Sequence, residues 1–390
     1  MAALLLALAA VGLLLGLVQT LSLRRHLREP RREPGLQPFI SVLKPLCGVD
    51  DDLWRNLRSF ACLDYPHYEV LLGVKDKRDP AYPLALAAAE RWPWLMRVVV
   101  QRGAPGLNPK VNQLITLASA ARGELLLVSD SNIRVRRDYL RGTAAAFADP
   151  EVALVTHPVA GAGERTLGAL FDNLQLCGAV APGVVAAKRV AGKDLVVGKS
   201  MALRRTDLRA LGGFERLKDL LAEDFLSGRI VTRELHRKVA LAREPALNVS
   251  RDTSVGTFFS RYLRWSVMQR KAVGNVAYAS QILLNPVALA GIALATFPST
   301  HTAEAFALVA AARALCHEAS ARALRGYGFG LGCLAAPAGD LLVAAAWSLG
   351  FFKTEICWRG NRLAVLEGTR LQRAPLRASG RLRWDTPAAG

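Results

Sequence analysis

The stretch Glu124-Leu125-Leu126-Leu127-Val128-Ser129-Asp130-Ser131-Asn132-Ile133 decides the fold of this chain. Four consecutive apolar residues, Leu125 to Val128, suit a strand buried on both faces, and such strands belong to parallel sheets covered by helices. The polar residues from Ser129 to Asn132 follow at once, where ligands collect in open α/β sheets, just outside the carboxyl ends of the strands. Asp130 is therefore the first candidate site residue. A carboxylate with a neighbouring amide and hydroxyls can hold a hard divalent ion together with the phosphate oxygens of a substrate. The competing reading is an aspartate that caps the next helix.

Outward from this strand, Phe39 to Leu43, Tyr68 to Val74 and Arg97 to Gln101 read as strands. They alternate with helical stretches, one offered N-caps by Asp50 to Asp52 and one rich in alanine from Ala81 to Trp92, as a parallel sheet requires. The second strand ends in Lys75-Asp76-Lys77-Arg78-Asp79-Pro80, another polar cluster on a carboxyl end. A Gly- and Pro-rich loop, Gly103 to Lys110, runs into a helix over Val111 to Ala121. Unpaired N–H groups and the helix dipole make such a start, with Lys110 beside it, a natural anion site. The loop lacks the spacing of a Walker loop or a Rossmann fingerprint, and an ordinary turn before a helix reads equally well. Downstream, Asp138 to Phe147 is helical, Val152 to Thr156 and Lys199 to Arg204 are strands, and Leu211 to Phe214 is a tight turn. Residues 178 to 197, with Lys188, Arg189 and Lys193 among small apolar residues, suit the membrane interface or a loop near a lipid opening.

The hydrophobic fraction of 52% is concentrated at the two ends of the chain, which directs attention to the membrane. Residues 2 to 23 carry no charge and are long enough to cross a bilayer as a helix. They read as an anchor rather than a cleaved signal peptide, because nothing basic precedes Leu4 except the amino terminus. Arg24, Arg25, Arg28, Arg31 and Arg32 follow, so the positive-inside rule puts the next domain in the cytoplasm, with a bacterial inner membrane as the expected location. A basic linker over 24 to 38 leads to a cytosolic domain over 39 to 272. Membrane segments follow over 273 to 352 and a basic tail over 353 to 390. Residues 276 to 297 are interrupted by Asn285-Pro286, 303 to 317 contain Arg313, and 327 to 352 contain Pro337 and Asp340. Three full spans would put the basic tail outside, so one of the last two segments is expected to be re-entrant or to lie flat. The net charge of +19 fits an anionic membrane surface better than nucleic acid, because no zinc-finger spacing or RNA-recognition signature accompanies it. The 6 cysteines are scattered without a Cys-x-x-Cys pair, so free thiols are expected.

Two further clusters carry chemistry. Leu220-Leu221-Ala222-Glu223-Asp224-Phe225 opens a helix with adjacent acids, which the helix dipole also favours on structural grounds. Successive helical positions point about 100° apart, so one acid rather than a shared-proton pair is expected to face the site. Arg261 and Arg264 lie at i and i+3 on one helix face, before Trp265, and two guanidinium forks on one face suit a diphosphate. A basic helix end resting on lipid headgroups is the alternative, supported by Arg270 and Lys271.

The ordered set of Asp79 before Pro80, Gly106-Leu107-Asn108-Pro109-Lys110, Asp130-Ser131-Asn132-Ile133, Ala222-Glu223-Asp224 and Arg261-x-x-Arg264-Trp265 resembles the ceramide glucosyltransferase family. The stretches Leu43 to Val49 and Leu63 to Pro66 resemble it too. The resemblance implies an α/β domain of GT-A type, a Rossmann-like mixed sheet with N- and C-terminal transmembrane helices. It also implies inverting transfer of a hexose, glucose first, from a UDP-sugar donor to a hydroxyl of a membrane lipid such as ceramide. By position, Asp79 would contact the nucleoside, Asp130 the metal and the diphosphate, and Asp224 would be the general base; Lys110 belongs to the substrate site, and Arg261, Arg264 and Trp265 match the diphosphate and acceptor motif. Where animal members have a histidine-containing segment, the stretch around Ala181 to Gly183 has none. A hopanoid or other lipid acceptor, a processive polysaccharide synthase and an inactive nucleotide sensor are the alternatives. A divalent cation, Mg²⁺ or Mn²⁺, is expected, because a diphosphate beside Asp130 needs compensating positive charge.

Overall fold

A computed structural model describes residues 1–30, 35 and 37–374. Arg31, Arg32 and the tail beyond 374 lie outside the described residues. Strands β1 (Ile40–Pro45), β2 (Tyr68–Val74), β3 (Met96–Val100) and β4 (Leu125–Ser129) run parallel, with β1 between β2 and β4. The short β5 (Ile133–Arg134) follows at once, then β6 (Val152–Thr156), β7 (Val159–Ala162), β8 (Ser200–Arg204), β9 (Lys238–Leu241) and β10 (Ala246–Val249). The main sheet has the order β3-β2-β1-β4-β8-β6-β9, and β8 is antiparallel to both of its neighbours. A second sheet pairs β5, β10 and β7. This is the mixed α/β architecture expected of a GT-A-type domain, and its helices cover both faces.

The central strand behaves as its composition demands. Leu125 and Leu127 enter one apolar core with Ile40, Val42 and Val70, while Leu126 and Val128 enter the opposite one with Leu43, Leu71 and Met201. Successive side chains alternate across a strand, so an unbroken apolar run is what two cores require. Helices α2 (Leu53–Ala61), α3 (Tyr82–Arg91), α4 (Pro109–Ala120) and α5 (Tyr139–Ala146) connect the strands. No helix follows Asp130 directly; β5 does, so the aspartate is not a helix cap.

Apolar helices pack at both ends. α1 (Ala2–Leu27), with a mean hydropathy of 2.4, is long and apolar enough to span a bilayer. α6 (Leu167–Gln175) continues through a π-helical turn, Leu176–Val180, into α7 (Ala181–Arg189). That run passes the same test, but 78% of it is buried within the protein. Beyond α8 (Arg205–Leu211), α9 (Glu223–Arg233) and α10 (Val255–Val273) come α11 (Asn275–Ala279), α12 (Pro286–Thr296), α13 (Thr300–Arg325) and α14 (Ala336–Gly350). The chain bends by 82° at Asn285-Pro286. Pro286 supplies no N–H to continue the preceding turn, and Asn285 starts α12 by accepting from Ala288 N. α13 runs 26 residues, well beyond the apolar segment read over 303 to 317, because charged residues at its far end hide its length from hydropathy.

Arg313 on α13 and Asp340 on α14 form a buried ion pair at 2.9 Å. Gln175 donates to the other Asp340 oxygen at 2.6 Å, and Asn285 donates to its backbone carbonyl. Residues read from the sequence as the start of a basic tail form a third sheet, β11 (Glu355–Trp358), β12 (Asn361–Val365) and β13 (Leu371–Arg373). It is stapled to the segment before α9: Leu221 N donates to the Thr369 carbonyl at 2.9 Å, and Leu371 N to the Asp219 carbonyl at 2.7 Å.

Asp340→Leu, which strands the Arg313 guanidinium, is expected to destabilise the detergent-solubilised protein by about 3–5 kcal/mol, and adding Arg313→Met should restore most of the loss. Unfolding in mixed micelles measures both; a double variant no better than the single one would show that the pair is not the source.

Candidate active site

The site forms where β1, β4 and the start of β8 meet. Because Ser129 is paired with Ser200, the antiparallel β8 delivers Lys199 beside Asp130. Asp130 N donates to the Lys199 carbonyl at 3.1 Å, and the Lys199 ammonium lies 3.7 Å from Asp130 Oδ2. From the other side comes α4. Its N-cap Asn108 accepts from Lys110 N and Val111 N, and is itself tied to the Lys218 and Leu220 carbonyls. A side chain at Gly106 would collide with the Lys218 backbone, so the loop can approach this closely only with glycine there.

Lys110 is the centre of the arrangement. Its ammonium lies 2.9 Å from Asp130 Oδ1 and 3.1 Å from Glu223 Oε1, and donates to the Gly198 carbonyl at 2.8 Å. An ammonium has three hydrogens, and these acceptors occupy them all. Burial alone would push the Asp130 carboxyl up, but Lys110 and Lys199 outweigh it and hold it at about 2. For Lys110 burial acts downward, and the charges of Asp130 and Glu223 reverse it, so its pKa is raised. Glu223 is shifted up by burial and by the adjacent Asp224 charge, against the pull of Lys110.

Asp224 is more open to solvent. Its Oδ2 accepts from Gly198 N at 2.6 Å, so Gly198 is held between Lys110 and Asp224. Both adjacent acids thus serve one site, Glu223 from within and Asp224 from the rim. Asp79 accepts from Gly48 N and Ala81 N at 2.9 Å with one oxygen, tying the loop after β1 to the start of α3.

α10 closes another side. Arg261 is ion-paired with Asp172, which is fully buried on α6. Arg264 has no carboxylate partner among the described residues; burial, with Arg261 and Arg359 nearby, lowers its pKa to about 10. Trp265 packs against Tyr262 at 5.0 Å within an apolar cluster that includes Phe171 and Phe258. The structure therefore gathers Lys110, Asp130 and Asp224 around one region, with Arg261 close enough for its charge to act on Lys199 and Arg264 one turn further along α10. Asp79 stands at the end of β2, and Trp265 lies in the seam between α10 and its neighbours.

Several residues escaped the sequence reading. Lys44, fully buried on β1, donates to the Asp130 carbonyl at 2.9 Å and to Ser129 Oγ at 3.2 Å, and burial lowers its pKa to about 7. Asp50 accepts from Ser131 Oγ rather than capping α2. Asp52 pairs with Arg134 and Arg251. Asp172 and the adjacent Gly198-Lys199 pair come from separate segments, and no local spacing marks them.

Among the described residues no group of three or more His, Cys, Asp or Glu side chains is placed to hold a metal ion. Magnesium, however, commonly binds through one or two carboxylates plus substrate phosphates. Lys110 engages Asp130 Oδ1 at 2.9 Å and the Lys199 ammonium stands 3.7 Å from Oδ2, so Oδ2 is the oxygen such a site would use.

A mixed α/β sheet with carboxylates and cations converging at its strand ends, flanked by helices long and apolar enough to cross a membrane, is the architecture of a GT-A-type domain. The chain belongs to glycosyl transferase family 21, whose sequence profile matches residues 4–371. It is 31% identical over 242 residues to ceramide glucosyltransferase 1 of Caenorhabditis elegans, covering 62% of this chain and 51% of that one. To ceramide glucosyltransferase 3 of the same organism it is 29% identical over 236 residues, 60% of this chain and 51% of that one. The chain thus spans about half the length of the curated relatives it matches. Among solved structures, the mannosyltransferase PcManGT from Pyrobaculum calidifontis superposes with a TM-score of 0.47 at 19% identity, over 89% of this chain and 98% of that one.

Lys110→Met leaves Asp130 and Glu223 without their shared cation and is expected to cost about 3–5 kcal/mol of stability. Adding Glu223→Gln should recover part of it. Denaturant midpoints of the three proteins test this, and an unchanged midpoint for Lys110→Met would contradict it.

Proposed function

We propose that the chain transfers a hexose, glucose by its family resemblance, from a UDP-sugar to the hydroxyl of a membrane lipid such as ceramide, with inversion. The observation that carries this is the Arg264 guanidinium, mostly buried, without a carboxylate partner among the described residues, and close enough to Arg261 and Arg359 for their charges to act on it. A buried cation without a partner is costly, and an anion arriving with the substrate relieves it. The diphosphate of a nucleotide sugar has the charge and the paired oxygens for that role. The resemblance of the chain to ceramide glucosyltransferases supports the choice of donor and acceptor.

The residues divide the work. Asp79, with one carboxylate oxygen spent on the loop, offers the other to the nucleoside. Arg264 stabilises the charge that develops on the leaving diphosphate, and Asp172 fixes Arg261 alongside. Mg²⁺ or Mn²⁺ would be held by Asp130 together with the donor phosphates and would supply further charge neutralisation there. Asp224 takes the proton from the acceptor alcohol. Its position on the rim, oriented by Gly198 N, suits a base that must meet a lipid hydroxyl, whereas Glu223 is committed to Lys110. A single base opposite the leaving group gives inversion without a covalent intermediate. The basic residues in the last turn of α1 and just beyond it support a catalytic domain on the cytoplasmic face by the positive-inside rule.

Asp224→Asn should keep the fold and the affinity for UDP yet lower transfer by roughly a hundredfold or more, the usual scale for a positioned base. Transfer from UDP-glucose to ceramide in mixed micelles is the assay, and near-normal turnover would remove Asp224 from this role. Chelation should abolish turnover and Mg²⁺ or Mn²⁺ restore it; full activity after verified metal removal would exclude a required cation.

A further inference from the structure

The hairpin of β11 and β12 reaches the donor site from the far end of the chain. Trp358 pairs with Asn361, leaving Arg359-Gly360 as a two-residue loop with φ of +47° and +74°. Two left-handed residues make the turn that matches strand twist, but asparagine, aspartate or glycine is usual at the first position. An arginine there goes against local preference, which points to a use for its side chain.

The hairpin is also held in place. Ile356, Leu363 and Val365 share a core with Leu221 and Val267, and Trp358, Leu107 and Met268 pack against it. Leu107 belongs to the loop that positions Lys110, and Val267 lies one turn beyond Arg264 on α10. Arg270 donates to the Lys353 carbonyl at 2.9 Å, and Lys271 pairs with Glu367 at 2.7 Å. The hairpin therefore bridges the two walls of the site. Arg359 at its tip is exposed and has no ion pair among the described residues, yet its charge bears on Asp50, Asp130 and Arg264.

We propose that this hairpin is the outer wall of the donor site and that Arg359 is a further guanidinium for the donor diphosphate, drawn onto it when the nucleotide binds. The proposal rests on the donor reading above. Arg264 and Arg359 repel one another while the site is empty, and an anion between them turns that repulsion into two attractions.

The test uses the full chain in lipid nanodiscs with Mg²⁺, and compares affinity for UDP with affinity for uridine. Arg359→Ala is expected to weaken UDP binding roughly tenfold, the scale of a lost charge-assisted hydrogen bond, while uridine affinity holds. Arg359→Lys should recover part of the loss, and Arg362→Gln, on the same hairpin but paired with Glu355, should bind as the parent does. In the parent protein, UDP should protect the Arg359–Gly360 bond from trypsin. Unchanged UDP affinity in Arg359→Ala with a parent that binds UDP overturns the hairpin role alone; a parent that binds no UDP overturns the donor reading itself. Should Arg359→Ala misfold, the protease result decides, and absence of protection overturns the proposal.

Discussion

The site depends on where one ammonium group can find its hydrogen-bond acceptors. Lys110 places its charge between Asp130 at the end of β4 and Glu223 at the start of α9, with the Gly198 carbonyl as third acceptor. Three segments far apart in sequence are thereby fixed to one point. Two buried carboxylates without that cation would repel each other or take up protons, so the catalytic geometry and the local stability have one origin. Lys44 and Lys199 reinforce it through backbone and charge contacts with the same aspartate.

Charge is distributed unevenly around this centre. On the inner side, acids and lysines face one another, and acceptors meet all three hydrogens of the Lys110 ammonium. Toward α10 and the β11–β12 hairpin, Arg264 and Arg359 have no carboxylate to meet among the described residues. An imbalance of that kind favours an arriving anion. The interior part of the site thus holds its shape, while the outer part provides free charge for a ligand.

The site and the apolar helices are mechanically one unit. α6 carries Asp172, which holds Arg261, and three residues later Gln175, which holds Asp340 in the buried pair with Arg313. Residues three apart share a helix face, so one side of α6 connects the Arg261 ion pair with the polar cluster among α13 and α14.

The sequence by itself determined the sheet and its richest strand end. An unbroken apolar run such as Leu125 to Val128 can be satisfied only between two cores, and a polar turn after it can lie only at a strand end. The apolar ends, the Arg261-x-x-Arg264 face and the acids at Glu223 and Asp224 were legible for similarly local reasons, since helical and strand periods fix which neighbours share a face. Only the tertiary structure decided what each charge meets. That Lys110 is enclosed by two acids, that Arg261 is taken by Asp172 while Arg264 stays free, and that Glu223 faces inward with Asp224 at the rim all depend on contacts between separate elements of the fold. The same holds for Lys44 and for the hairpin at the far end, whose strands resemble a basic tail until Leu221 and Val267 supply the surface they pack against. Local pattern sets which residues form an element; the partners of a buried charge are set by packing between elements, and no spacing along the chain encodes them.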